Sequence, residues 1–245
     1  MPTKEWLAEY EKKRAFTRCP NDLNAYFTLD MLAGKRLDRL SLGPVSLPTG
    51  RVLVRDPLVY LDDEEEPYFQ TVPAGEYEAV ACVVVPADGD CARYAAVRVC
   101  FTDAPAVRFE EALLGSEDLS AFEDGEYFGF NVDAGLACIC DEAARDAFCV
   151  FAALWSDAHP EENLYDDYFA ALFAENYRKH PRYQREGGDW LNWEVPGARL
   201  HMPIFQSGFG DGTYPVYFGY DGAGNLCQLA VQFIDIEMAY GEERA

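Results

Sequence analysis

The residue types best suited to chemistry gather in Gln206-Ser207-Gly208-Phe209-Gly210-Asp211-Gly212-Thr213-Tyr214. Three alternating glycines permit positive φ and let a ligand or a second backbone approach closely. Ser207 offers a nucleophile and Asp211 a carboxylate, but neither sits in a known catalytic frame. A dinucleotide fingerprint places its glycines between a strand and a helix, whereas Tyr214-Pro215-Val216-Tyr217-Phe218 continues as a strand. No lysine follows the glycines as in a P-loop, and Ser207 lies outside a Gly-x-Ser-x-Gly elbow. The simplest reading is a tight glycine turn in which Asp211 bonds its own backbone.

Asp56 and Asp133, like Asp211, stand close to Pro or Gly at strand ends, where a rigid scaffold positions loop carboxylates. Were these segments to converge, Asp56, Tyr77, Asp133, Ser207, Gly208, Gly210, Asp211, Gly212 and Tyr214 would surround one polar pocket. Carboxylates packed together have separated pKa values and can divide acid and base roles, in hydrolysis for example, with or without a metal held by their oxygens.

Other titratable groups favour structural roles. His159 and His180 each precede a proline at a predicted helix end, where a cation suits the carbonyl terminus, and His201 falls in a strand-like run. Asp62-Asp63-Glu64-Glu65-Glu66 lacks the spacing and central glycine of a calcium loop and reads as a solvated segment. The eight cysteines include no C-x-x-C pair, and Cys138-Ile139-Cys140 has no second ligand pair or nearby histidine. They are expected to be reduced, buried thiols. Neither a metal site nor a cofactor is expected.

Charge narrows the classes of partner. Forty-three acidic against 20 basic residues give a net charge of −23 over 245 residues. Phosphate neutralisation needs a basic face, and the largest basic cluster, Lys12-Lys13-Arg14, sits among acids, so nucleic acid and anionic lipid are disfavoured. No run of 18 apolar residues spans a membrane, and the polar start carries no signal-peptide core, which points to a cytoplasmic protein. A hydrophobic fraction of 49% with 14% aromatics rules out wholesale disorder.

The elements that must carry these residues follow from period and punctuation. An amphipathic helix is expected over residues 4–16, and a second over 21–33, opened by Asn21-Asp22 and closed by Gly34. Strands are expected at 51–55, 68–72, 77–85 and 91–101, the last two forming a hairpin through the turn 86–90. Residues 109–114 read as a short helical piece, and 127–132 with 136–139 as a strand pair around Asp133-Ala134-Gly135. Asp141 caps a strong helix that His159-Pro160 stops, and Asn163 opens a partner helix running to about His180. Strands return at 199–205, 213–220 and 226–234, the last two joined through Asp221-Gly-Ala-Gly-Asn225. Strand runs flanking a helical pair, without βαβ alternation, predict an α+β fold with a mainly antiparallel, sandwich-like sheet in one domain.

Five pieces in this order, Arg55-Asp56-Pro57-Leu58, Val72-Pro73-Ala74-Gly75-Glu76-Tyr77, Ala95-Ala96-Val97-Arg98-Val99, Val132-Asp133-Ala134-Gly135 and Ser207 through Tyr214, resemble a bacterial family known as domain of unknown function 4241. The resemblance covers roughly residues 40–235 and implies a common fold, with no catalytic residue to carry over. Two positions depart from the pattern: Phe109 replaces an expected tryptophan before Glu110-Glu111-Ala112, and Gln232 replaces an acid before Phe233. A carboxylate acting as base or metal ligand at that last position would be missing here. The glycine loop and closing hairpin also look like the endings of some toxin-immunity proteins. Two functions remain open: a non-catalytic, immunity-like protein meeting a basic protein through its acidic surface, or a small-molecule-binding or hydrolytic protein using the glycine-loop pocket. The first is favoured because no nucleophile–base pair stands out.

Overall fold

A computed structural model of the chain describes residues 1–87 and 91–241. Helices α1 (Lys4–Lys13) and α2 (Leu23–Thr28) lead into strands β1 (Met31–Leu32), β2 (Lys35–Leu47), β3 (Val52–Arg55), β4 (Gly75–Val84) and β5 (Arg93–Cys100). Then come β6 (Arg108–Glu111), β7 (Phe130–Val132), β8 (Leu136–Asp141) and the long helix α3 (Glu142–Ala158). A π-helical turn, Leu164–Phe169, runs directly into α4 (Ala170–Lys179). Strands β9 (Trp190–Glu194), β10 (His201–Gln206), β11 (Gly212–Tyr214), β12 (Val216–Tyr220) and β13 (Leu226–Gln232) precede the short closing helix α5 (Ile236–Tyr240).

Among the described residues every strand pairing is antiparallel. A seven-stranded sheet has the order β1-β2-β4-β5-β13-β12-β6, a four-stranded sheet the order β3-β8-β10-β9, and β11 pairs only with β7. The fold is α+β, as the residue pattern predicts. No helix among the described residues is long and apolar enough to cross a membrane.

Side-chain alternation explains how these layers stack. On β8, Ala137 and Ile139 enter the core shared with the large sheet, while Leu136, Cys138 and Cys140 face a second core under α3 and α4. Val52 and Val54 against Leu53 on β3, and Phe205 against Met202 and Ile204 on β10, divide in the same way. The small sheet is therefore apolar on both faces, sandwiched between the large sheet and the helices. Each aliphatic side chain so buried contributes roughly 1.5–3 kcal/mol. Tyr10 with Leu113 and Leu119 forms a smaller cluster that seats α1, helped by Trp6 and Phe69.

Polar side chains lock the layers together. Asp141 accepts from Ala143 N at 2.9 Å as the cap of α3, and also from Thr49 N, Thr49 Oγ1 and Gly50 N. Gly50 has φ +71, and a Cβ there would stand 2.1 Å from the Val72 carbonyl, so only glycine fits. At the bulge of β2 near Gly43, Asn192 of β9 donates to the Leu42 and Pro44 carbonyls at 2.9 and 2.7 Å, joining one sheet to the other.

Four expectations are corrected. The second helix ends at Thr28, and Ala33-Gly34, both at positive φ, instead turn a hairpin between β1 and β2. Residues 68–72 form no strand, because their amides reach three separate carbonyls: Tyr68 to Val52, Phe69 to Leu113 and Val72 to Gly50. Residues 109–114 are not helical; Phe109, Glu110 and Glu111 lie in β6 at the edge of the large sheet. Strands β7 and β8 exist but do not pair with each other: β7 joins β11, and β8 runs between β3 and β10. The hairpin of β4 and β5 is antiparallel as expected, but residues 88–90 of its turn at 86–90 lie outside the described residues.

Candidate functional site

The pairing of β7 with β11 sets Val132 opposite Gly212 and Asn131 opposite Thr213. Continued by one residue, the same register sets Asp133 opposite Asp211. Two carboxylates thus flank the open end of the ladder, and like charges brought close together repel unless a cation stands between them. Both are exposed, and neither carboxylate has a hydrogen-bond or ion-pair partner among the described residues.

Asp56 behaves differently. It is fully buried, and its Oδ2 accepts from Asp133 N at 3.0 Å and Ala134 N at 2.6 Å while Oδ1 accepts from Leu58 N at 2.9 Å. It is the brace that shapes the 133–135 turn, not a group offered to a ligand. Ser207 N donates to Gly135 O at 3.1 Å and ties that turn to the glycine loop.

The glycine loop is held from within. Ser207 Oγ and Tyr214 Oη both donate to Gly210 O at 2.7 Å, and burial pushes the Tyr214 phenol up, so it remains a donor. Asp211 does not bond its own backbone as expected; the hydroxyls of Ser207 and Tyr214 stabilise the turn. At Gly208, with φ +63, a Cβ would meet Phe233 Cβ at 2.8 Å, which accounts for glycine there. Gly210 and Gly212 also hold positive φ.

Around these turns lies a polar cleft of about 440 Å³ whose lining includes Asp133, Ser207, Gly208, Gly210 and Asp211. Residues that the sequence did not single out complete it, Arg93, Arg185 and Asp189 among them. Arg93 donates to Gly208 O at 3.1 Å and covers the Phe209 ring at 5.7 Å, so the exposed Phe209 is part of its seat. Asp189, nearly inaccessible, accepts from Arg185 N at 2.5 Å and Nε at 2.7 Å, and this contact keeps the guanidinium firmly charged. Arg93 opens β5 and Phe209 sits among glycines; those were the available signals.

Tyr77 is not in the cleft. Its hydroxyl donates to Pro73 O at 2.8 Å and its ring meets Phe101 edge-on at 5.1 Å. Arg93 and Phe101 flank opposite ends of β5, so Tyr77 stands roughly 25 Å away, at about 3.3 Å of rise per residue. Gly212 and Tyr214 adjoin the cleft as the start and end of β11.

No histidine approaches Ser207. His159 Nδ1 meets Glu162 at 2.8 Å and its ring stacks on Trp155, His180 packs on Trp190, and His201 Nδ1 faces Asn192 Oδ1 at 2.8 Å. No group of three or more His, Cys, Asp or Glu among the described residues could hold a metal ion. The acidic run is partly structural, since Asp62 accepts from Glu64 N and Glu65 N and Glu65 pairs with buried Arg55 at 2.5 Å. A larger groove of about 840 Å³ runs between β2 and α4, but its cations are already engaged: Arg39 by Asp30, Lys179 by Glu175 and Arg182 by Asp38. The smaller cleft is the better candidate because two of its carboxylates, Asp133 and Asp211, have no partner among the described residues.

The family model described as protein of unknown function (DUF4241) matches residues 45–231, a span that includes every wall of the cleft, and the chain belongs to this family. No curated protein and no solved structure matches it.

Proposed function

We propose that the chain is a non-catalytic, immunity-like binding protein that engages a basic protein partner, with one lysine or arginine of that partner seated between Asp133 and Asp211. The observation that carries this reading is the pair of opposed, unpartnered carboxylates at the open end of the β7–β11 ladder. A cation placed there relieves their repulsion and gains two charge-assisted hydrogen bonds. The net charge of −23 supports the same partner class, because complementary potentials steer encounter and favour basic over acidic proteins. The free state of all eight cysteines fits a reducing cytoplasm as the place of action. A catalytic role gains no support from Ser207, whose hydroxyl is consumed by Gly210 O and has no base in reach.

The test is affinity capture from the native host at low and high salt, with wild type beside a D133N/D211N double variant. A basic protein retained by wild type, released by salt and retained at least tenfold less by the variant is the expected result. Equal retention by the variant overturns the site, and recovery of no basic protein at low salt overturns the function.

A further inference from the structure

A second cavity, of about 350 Å³, opens on the other side of Tyr214. Its inner wall is aromatic. Tyr217 and Phe233 are buried there, and the Tyr214 ring packs edge-on against Phe233 at 5.1 Å. Tyr127 and Met238, 47% and 82% exposed, also line it and leave apolar surface open to water. Flat aromatic walls of this kind take a planar ring by stacking and edge contact.

The polar groups around the ring site fall into two sets. Arg18 lines the cavity with a guanidinium that has no partner among the described residues. Asn21 stands beside it: Gln232 Nε2 donates to Asn21 Oδ1 at 3.0 Å, which fixes the amide and leaves its Nδ2 donors unused. Gln232 is itself spent, since it also donates to Tyr26 Oη at 3.1 Å and accepts from Cys19 Sγ. The second set is acidic. Asp235 Oδ1 accepts from Met238 N and Glu126 Oε2 from Glu123 N, so Asp235 Oδ2 and Glu126 Oε1 stay unpartnered among the described residues. The lining of the cavity therefore offers donors with a positive charge as well as acceptors with negative charge.

We propose that this cavity binds a small aromatic zwitterion, a planar ring bearing a carboxylate and an ammonium group, as a free aromatic amino acid does. The ring lies among Tyr127, Tyr217 and Phe233, the carboxylate meets Arg18 and Asn21, and the ammonium meets Asp235 and Glu126. An ammonium near these tyrosine faces gains a further cation–π attraction. Segments 17–21 and 232–238, which supply most of the polar groups, lie outside residues 45–231, whereas Tyr127, Tyr214 and Tyr217 lie within that span.

Isothermal titration with L-tryptophan and L-phenylalanine tests the proposal on the full chain, with N-acetyl-L-tryptophanamide as the probe that keeps the ring and lacks both charges. Saturable binding of at least one amino acid is expected, weakened at least tenfold for the masked probe. R18Q and D235N should each weaken it at least fivefold, with circular dichroism unchanged because Arg18 is exposed and asparagine still caps α5. D133N/D211N should leave it unaltered. No heat from either amino acid at millimolar concentration overturns the site. Equal affinity for the masked probe overturns the ligand class, and loss of binding in D133N/D211N overturns the location.

Discussion

Replacing Glu111 with glutamine should reverse part of the pH dependence of stability. Glu111 lies on β6 with 1% of its surface exposed, and its Oε1 accepts from Phe128 N and Gly129 N at 2.8 Å. Its Oε2 is buried with no partner. Burial pushes the carboxyl up from an ordinary 4.5 to about 7, with the Glu117 carboxylate adding repulsion and the two amides opposing. Between pH 4.5 and 7 the folded protein then binds more protons at this group than the unfolded chain does. Stability consequently falls as pH rises through that window, opposite to the usual carboxylate. At 1.36 kcal/mol per pKa unit the full cost above pH 7 is about 3 kcal/mol. Glu111→Gln keeps an oxygen for the two amides and removes the buried charge. Urea unfolding of both proteins at pH 5, 6, 7 and 8 isolates the group, since every other carboxylate is common to the two. The stability difference should move in favour of the variant by about 2–3 kcal/mol from pH 5 to 8. A difference constant across that range refutes the reasoning, as does one that moves toward wild type.

Three other perturbations have defined outcomes. Asp56→Ala strands the amides of Leu58, Asp133 and Ala134, and urea unfolding should show a loss of roughly 2–4 kcal/mol, since unpaired buried donors cost about 1–3 kcal/mol each and water will reach some of them. Gly208→Ala forces an L residue to positive φ and drives its Cβ into Phe233, for an expected loss of about 1–3 kcal/mol in the same assay; an unchanged midpoint would count against the packing described. With a thiol reagent and mass-spectrometric mapping, exposed Cys91 should label first and Cys100 next, while Cys82, pushed up to about 12 by burial, and Cys138, raised well above its ordinary value, should label only in denaturant.

What could be read from the residues depended on whether the cause was local. Asp141 before an apolar 3.6-residue period gives a capped helix wherever it occurs, and α3 starts where that signal says. Asp221, accepting from Ala223 N and Asn225 N, makes its own hairpin turn. Residues 109–114 read as helical because Glu110 and Glu111 are helix formers. Glu110 instead points inward to Arg14 and Arg108 at 2.9 and 2.8 Å, partners distant or on the strand itself. Tyr68 to Val72 has strand composition, but its amides go to three separate carbonyls and form no continuous ladder. The cleft depends on β7 pairing with β11 across some eighty residues, a choice that no local pattern encodes. Tyr77 belongs to the same ordered set of five pieces as the cleft residues and yet lies at the far end of the sheet.

The aspartates show why residue type alone does not separate scaffold from site. Asp56, Asp141 and Asp189 are buried, and each is met by several donors, backbone amides for the first two and the Arg185 guanidinium and amide for the third. A buried carboxylate is tolerated only on those terms, so these three are fixed parts of the walls. Asp133 and Asp211 occupy the same kind of strand-end position, yet neither carboxylate has a partner among the described residues. Bringing two carboxylates to the same open end of a ladder is unfavourable for the fold itself, because each raises the energy of the other's charge. The scaffold that holds them there, through Asp56 on one turn and Ser207 with Tyr214 on the other, spends saturated hydrogen bonds to keep an unfavourable pair in place. Such an expenditure makes physical sense where a cation supplied from outside completes the pair, and neutralising either aspartate should then stabilise the free protein while it weakens the complex.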